Sequence, residues 1–257
     1  MAVSVLRRFT FLCGVLAAVA LLGGAAFAQE HAGHHWGYGK SDGPDHWAEL
    51  DESFSACRLG HHQSPIDIRA PKPADLPSIQ FAYKPTPLHI VNNGHSIQLN
   101  YAPGSFITVG DKRYQLVQVH FHHPSEERVN GRNFQMVAHL VHSTPDGALA
   151  VVAVLLDAGD ANPVVTSVWQ HLPAHEGPEQ DFDNVQVDVT GLLPQDRGYY
   201  TFTGSLTTPP CTENVTWFVL KTPTRISKAQ VDAFGKIYPH DARKTQPLYD
   251  RQVLASK

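Results

Sequence analysis

The 257-residue chain has no excess of positive charge and little sulfur. Its formal net charge is −4, and it contains three cysteines and two methionines. Proteins that bind nucleic acid or an anionic membrane surface carry basic patches, so this balance favours neither function. The sequence has no internal repeat, linker or low-complexity segment that would separate two domains. With 42% hydrophobic residues, 19 glycines and 19 prolines, we expect a single domain rich in turns and strands.

The chain lacks an apolar run that favours a membrane anchor. Residues 9–22 are apolar but short for a bilayer span. Two arginines precede this run, and a small-x-small motif follows it and ends at Ala28. We therefore predict that residues 1–28 are a cleaved signal peptide. Residues 29–257 would then form an exported domain, with the periplasm as the expected compartment.

The three cysteines are consistent with export. Cys13 lies in the predicted signal peptide, which leaves Cys57 and Cys211 in the mature chain. A single pair of cysteines in an exported protein favours a disulfide bond. The alternative is two buried free thiols.

Histidine is abundant, and two histidines alternate in a strand-like stretch. His120 and His122 are separated by one residue, so on a β-strand they share a face while Phe121 points to the other side. His139 lies in the next strand-like run. Three neutral imidazoles on neighbouring strands could hold zinc with a fourth position open to water, as in catalytic zinc sites. The alternative is that these are ordinary histidines in a histidine-rich protein.

Short runs of β-branched and aromatic residues, separated by turn residues, predict most of the secondary structure. The predicted strands cover residues 88–91, 95–101, 105–109, 114–121, 133–141, 148–155, 199–204 and 215–221. The predicted helices cover residues 45–50, 162–171 and 227–234, and we expect the tail from residue 239 to be irregular.

Several motifs accompany the histidines in a fixed order along the chain. These are Asn92-Asn93-Gly94-His95-Ser96, Gln118-Val119-His120-Phe121-His122, Pro124-Ser125-Glu126, Gly204-Ser205-Leu206-Thr207-Thr208-Pro209-Pro210-Cys211 and Gln246-Pro247-Leu248. The ordered set resembles the α-class carbonic anhydrases, particularly their exported bacterial branch, over nearly all of residues 36–255. The resemblance implies a predominantly β single domain with short helices, built on a large, twisted, mostly antiparallel sheet. It also suggests a homodimer.

The resemblance implies that His120, His122 and His139 bind one Zn²⁺ ion. A zinc-bound hydroxide would then hydrate carbon dioxide reversibly to bicarbonate and a proton, because zinc lowers the pKa of bound water to about 7. The site would also need a dry pocket for the uncharged substrate. The positions that match that pocket are all apolar: Val141, Val151, Leu206, Val215 and Trp217. Each of these taken singly could equally be a core residue.

The polar residues that match the family have distinct implied roles. Thr207 would donate its hydroxyl proton to Glu126 and accept a hydrogen bond from the zinc-bound oxygen. Thr208 would contact bicarbonate. His95 would shuttle the product proton to buffer, since an exposed imidazole titrates near neutral pH. Gln118 would hydrogen-bond to the first ligand histidine.

Three further positions carry expectations of their own. We expect Glu127, the neighbour of Glu126, to be exposed. Many members of the family carry a glutamate that orients the third ligand where this chain has Val137. Either another group or water takes its place, or zinc is held less tightly. Asp241 stands where asparagine is usual, but the contact implied there uses the backbone carbonyl.

Two other functions remain open from the sequence alone. A non-catalytic relative that serves as a binding module would lack one or more of the metal histidines, and this chain keeps all three. A zinc hydrolase acting on esters would need an acyl-binding motif, which the sequence does not show.

Overall fold

The computed structural model describes Met1 and residues 35–257. The predicted signal peptide and Cys13 lie outside the described residues. In the described part, no helix is both long and apolar enough to cross a membrane.

Short strands dominate the described chain. The strands are β1 Asp67–Ile68, β2 Lys72–Ala74, β3 Ile79–Ala82, β4 Thr86–Asn92, β5 Ile97–Asn100, β6 Phe106–Val109, β7 Lys112–His122, β8 Arg128–Val129, β9 Met136–Ser143, β10 Leu149–Ala158, β11 Gln180–Val187, β12 Tyr199–Ser205, β13 Glu213–Leu220, β14 Thr224–Ile226 and β15 Leu254–Ser256. The helices are α1 Trp47–Leu50, α2 Ala56–Leu59, α3 Pro163–Trp169 and α4 Lys228–Gly235, with 3-10 turns at Glu52–Phe54 and Val189–Leu192.

Thirteen of these strands form one large sheet. Its central path runs in the order β11-β4-β5-β7-β9-β10-β13-β12-β15-β2, and β1 and β8 form a separate two-stranded sheet. Most neighbours are antiparallel, while β10 with β13, β10 with β14, and β15 with β2 are parallel. The predicted fold, predominantly β with a large, mostly antiparallel sheet, is confirmed.

The sheet separates two apolar layers because its central strands alternate their side chains between faces. One layer contains Phe121 and Leu140, which lie on the opposite face from the ligand histidines. The other contains Val137, Val151 and Trp217. The predicted metal histidines therefore share a face with an apolar layer, which can exclude water from their surroundings.

The two longer helices begin where the sequence places capping residues. Asn162 accepts hydrogen bonds from the N–H groups of Val164 and Val165, and Pro163 occupies the first turn of α3. Ser227 and Gln230 form a capping box at the start of α4. Both helices end within two residues of their predicted limits.

The N-terminal segment packs against the domain through aromatic rings and a disulfide bond. Trp36 and Tyr38 contact Trp47 edge to face. Beside them, Cys57 and Cys211 form a disulfide across a sequence separation of 154 residues. The predicted pairing is present, and the two sulfurs lie in the same apolar cluster as the aromatic rings.

The prediction of an irregular tail is wrong at its end. Most of the segment after residue 239 has no regular structure, but β15 pairs with both β12 and β2. Edge strand β11 was also not predicted from the sequence. Its residues are mostly polar and exposed, and pairing with β4 holds them extended.

Candidate metal centre

The three predicted metal ligands converge on one face of β7 and β9. His120 lies directly opposite His139 in the antiparallel register, and His122 follows two residues later on the same face of β7. One ring nitrogen from each of the three lies within 4.8 Å of the others. This convergence follows from the strand alternation and the register, without any contribution from loop conformation.

The outward nitrogen of each β7 imidazole contacts a fixed oxygen atom. His120 Nδ1 lies 2.8 Å from Gln118 Oε1, and His122 Nδ1 lies 2.7 Å from the carbonyl oxygen of Asp241. Because both oxygens are acceptors, Nδ1 carries the proton in each ring and Nε2 keeps its lone pair. This is the tautomer that a metal ligand requires.

Burial keeps these two imidazoles neutral. It lowers the pKa of His120 well below 6.5, and the neighbouring His122 and His139 lower it further. The pKa of His122 is lowered in the same way, first by burial and then by His139. His122 Nε2 is buried and has no hydrogen-bond partner. A buried, unpartnered lone pair between two other imidazoles fits a metal ion, and three nitrogen ligands are a donor set typical of catalytic zinc.

Glu126 lies beside the histidines and is buried. Its Oε1 accepts a hydrogen bond from the Arg243 backbone N–H at 2.8 Å, and its Oε2 lies 3.5 Å from His122 Nε2. Burial raises the pKa of this carboxyl well above its usual range, and Glu127 raises it further, whereas the Thr207 hydroxyl lowers it. Thr207 is itself buried, and Thr208 is half-buried. The structure thus brings Glu126 and Thr207 together next to the imidazoles.

Glu127 is not exposed, and that expectation was wrong. Its side chain is fully buried, and its two oxygens lie 3.1 and 3.3 Å from His139 Nε2. The chain turns back after β7, where the Ser125 hydroxyl donates to the Glu127 carbonyl and the Ser125 N–H donates to the Phe134 carbonyl. This turn directs the Glu127 side chain inward.

Apolar side chains line the sheet next to the histidines. Val151, Val215 and Trp217 are buried in one cluster, and the partly buried Val141 and Leu206 pack against it. The Trp217 ring meets His139 edge to face, with ring centroids 5.0 Å apart. All five predicted pocket residues therefore belong to the layer that carries the third imidazole.

Comparison with known proteins places this geometry in a family. A family model described as eukaryotic-type carbonic anhydrase matches residues 42–257. A carbonic anhydrase from Neisseria gonorrhoeae is 43% identical over 243 residues, which cover 93% of this chain and 96% of that protein. One from a Nostoc strain is 41% identical over 225 residues, covering 86% of this chain and 85% of the relative. The solved structure of an α-carbonic anhydrase from Thermovibrio ammonificans, in complex with the inhibitor sulfanilamide, superposes with a TM-score of 0.84 at 38% identity and covers 88% of this chain and 100% of its own.

The chain belongs to the carbonic anhydrase family. It is a lyase that catalyses the reversible hydration of carbon dioxide to bicarbonate and a proton, so the predicted activity is confirmed. The family is zinc-dependent, and the three histidines could hold the metal.

Within this carbonic anhydrase domain, His95 lies in the turn before β5 and packs against the N-terminal segment. Its ring stacks on Trp36 and lies 6.0 Å from the ring of His35. The pKa of His95 is lowered to about 4, mainly by burial and also by His35, and Asp42 opposes part of this shift. His95 Nδ1 is buried without a hydrogen-bond partner.

The C-terminal segment supplies contacts that sequence reasoning missed. Arg243 is 2% exposed, and its guanidinium donates to Gln63 Oε1 and to the carbonyl oxygens of Ser64 and Cys57. The backbone N–H of Arg243 donates a hydrogen bond to Glu126 Oε1. The sequence alone predicts that this arginine is exposed, because arginines are almost never fully buried unless they are paired. Asp241 was expected to act through its carbonyl, and the carbonyl oxygen does contact His122.

Proposed function

We propose that this carbonic anhydrase uses a single zinc ion held by His120, His122 and His139. The observation that carries the proposal is the convergence of one ring nitrogen from each of the three imidazoles within 4.8 Å. Zinc, when bound at such a site, makes a water molecule nucleophilic at neutral pH and leaves one coordination position open.

The residues around the histidines position the reactants. The Thr207 hydroxyl has one proton, and donating it to Glu126 leaves only lone pairs facing the attacking water. Thr207 then accepts a hydrogen bond from that water, which orients the remaining lone pair of the water oxygen toward carbon dioxide. Thr208 contacts the bicarbonate product. The apolar wall formed by Val141, Val151, Leu206, Val215 and Trp217 holds the uncharged substrate and excludes water.

The product proton leaves by way of His95. An imidazole at the edge of the site can accept the proton and pass it to buffer. In the stacked position described above, the lowered pKa makes His95 a weak proton acceptor, so we expect proton transfer through it to be slowed.

We also propose that the enzyme is exported to the periplasm after removal of residues 1–28, that it has no membrane anchor and that it acts as a homodimer. A disulfide bond between Cys57 and Cys211 is of the kind that forms in oxidising compartments, which supports export. N-terminal sequencing of protein from a periplasmic fraction tests the cleavage site, and sedimentation equilibrium tests the oligomeric state.

Stopped-flow measurement of carbon dioxide hydration, with zinc content determined on the same sample, tests the catalytic proposal. We expect one zinc per chain and rapid turnover in the intact protein, and loss of both in a His139→Ala variant. A zinc-replete protein without turnover would contradict the roles assigned to Thr207 and Glu126. Turnover that persists in His139→Ala without zinc would contradict the metal site.

A further inference from the structure

Glu127 is a buried carboxylate that contacts His139. Both of its oxygens face His139 Nε2, at 3.1 and 3.3 Å, and its side chain is inaccessible to solvent. Within residues 35–257, no lysine or arginine lies within 4 Å of this carboxylate. Burying a carboxylate without a cation costs folding free energy, so the presence of Glu127 here calls for an explanation.

His139 is reversed relative to the other two ligands. His120 and His122 are anchored through Nδ1 and present Nε2 to the centre, whereas His139 is anchored through Nε2. Its Nδ1 faces the centre and lies 3.9 Å from Glu126 Oε2. The carboxylate of Glu127 accepts from Nε2–H, and this hydrogen bond leaves the lone pair on Nδ1.

The strand that carries His139 offers no acceptor of its own at this position. Val137 precedes His139 by two residues and therefore shares its face of β9. It is fully buried in the apolar cluster with Val151 and Trp217. The acceptor for Nε2–H instead comes from a different segment, the turn that follows β7.

We propose that Glu127 is the positioning residue for His139. It supplies the acceptor for Nε2–H that the valine at position 137 of β9 cannot provide. This inference rests on the proposed zinc site. A carboxylate behind the imidazole fixes its tautomer and orientation and strengthens it as a ligand. A cation at the three histidines in turn balances the buried negative charge of Glu127 through the polarised ring.

The test compares zinc affinity in four proteins: the intact chain, Glu127→Gln, Glu127→Ala, and Glu127→Ala combined with Val137→Glu. The apparent zinc dissociation constant is measured by competition with a chromophoric chelator, and the rate of zinc loss to excess chelator is measured in parallel. The unfolding temperature of each metal-free protein shows whether the variant folds. Glu52→Ala, which removes an exposed carboxylate at the start of the 3-10 turn Glu52–Phe54, is the matched control.

We expect Glu127→Ala to weaken zinc binding by about 10- to 100-fold, the usual effect of losing a group that orients a metal ligand. Glu127→Gln keeps the volume and a neutral acceptor but loses the charge, so we expect an intermediate loss with an unchanged unfolding temperature of the metal-free protein. The combined variant returns a carboxylate to the same face as His139, and we expect it to recover most of the affinity. Glu52→Ala should bind zinc like the intact chain.

Two results would overturn the proposal. Intact-like zinc affinity in Glu127→Ala means that the carboxylate does not position His139. A combined variant that folds but binds zinc as weakly as Glu127→Ala means that Glu127 does not stand in for an acceptor at position 137. Failure of the proposed function gives a different result, because the intact chain would then bind no zinc at the three histidines.

The cobalt-substituted proteins give a second readout that is independent of activity. The visible absorption of cobalt depends on the orientation and basicity of its ligands. We expect the band positions to shift in Glu127→Ala and to move back in the combined variant. Identical spectra in all four proteins would contradict a positioning role.

Discussion

The imidazole of His95 lies parallel to the indole of Trp36, with ring centroids 3.6 Å apart and a 9° angle between their planes. This stack buries a residue whose proposed task is to exchange protons with solvent. Burial lowers the pKa of His95 to about 4, so the stacked imidazole is a weak proton acceptor. If His95 accepts the product proton, we expect the stack to slow proton release and to leave carbon dioxide hydration unchanged.

Replacement of His95 by alanine should separate these two steps. We expect kcat in dilute buffer to fall by about 10-fold, less than the roughly 100-fold or more typical of a well-matched proton-transfer group, because the stacked ring is a weak acceptor. The ratio kcat/KM should not change, since it reports carbon dioxide hydration before proton release. Added imidazole buffer should restore kcat. An equal fall in kcat and kcat/KM would show that His95 acts in the chemical step instead.

Thr207 gives a second test, through its single hydroxyl proton. Thr207→Val keeps the shape but removes both the proton and the lone pairs, so the attacking water loses its orientation. We expect kcat/KM to fall by roughly 100-fold, as when one preorganised hydrogen-bonding group is removed from a reaction centre. Zinc content should remain that of the intact chain. Thr207→Ser is the matched control and should retain most activity; if it is as slow as the valine variant, the hydroxyl is not the relevant group.

The burial of His142 leads us to expect that the free energy of unfolding depends on pH. It is fully buried on the opposite face of β9 from the ligand histidines, and its Nε2 lies 2.8 Å from the Tyr83 hydroxyl. Burial lowers the pKa of His142 from 6.5 to about 3. The unfolded chain takes up a proton at this position below about pH 6.5, whereas the folded chain takes it up only near pH 3, so the free energy of unfolding falls as the pH drops between these values.

The measurement is urea unfolding of the intact chain and of His142→Asn from pH 7 to pH 4. One buried histidine contributes a slope of about 1.4 kcal/mol per pH unit, and we expect the variant's curve to be flatter by that amount. Comparing slopes removes the constant cost of breaking the contact with Tyr83. His240→Asn changes an exposed histidine and should run parallel to the intact chain. Parallel curves for His142→Asn would exclude His142 as the origin of acid sensitivity.

The disulfide bond predicts a large difference in stability between oxidised and reduced protein. It closes a loop of 154 residues, and such closure restricts the unfolded chain. We expect Cys57→Ala with Cys211→Ala to lower the free energy of unfolding by about 2–5 kcal/mol in urea titration. Treatment of the intact chain with a phosphine reductant should give a comparable loss. Equal stability of the oxidised protein and the double variant would rule out this contribution.

The parts of the site that lie on strands were predictable, and the reason is periodicity. His120 and His122 share a face because strand side chains alternate, and the hydrophobic character of the run with His139 predicted the neighbouring strand. Glu127 was mispredicted because alternation ends with β7. Beyond β7, the direction of each side chain depends on the turn that Ser125 stabilises. Two adjacent glutamates in the sequence do not indicate which of them faces inward.

Arg243 and the edge strands were missed for a different reason. The buried arginine is defined by three acceptors far from it in sequence, so nothing in its own neighbourhood distinguishes it from a surface arginine. Strand β11 is polar and adopts its conformation through β4, and β15 is only three residues long. Local propensity cannot reveal structure that depends on a distant partner.

Asp241 and Arg243 contribute contacts to the candidate metal site from a segment far from the histidines in sequence. All three histidines are made before residue 140, yet the carbonyl that fixes His122 and the N–H that fixes Glu126 come from residues 241 and 243. A chain truncated before residue 241 would therefore carry all three histidines but lack the contacts that orient His122 and Glu126.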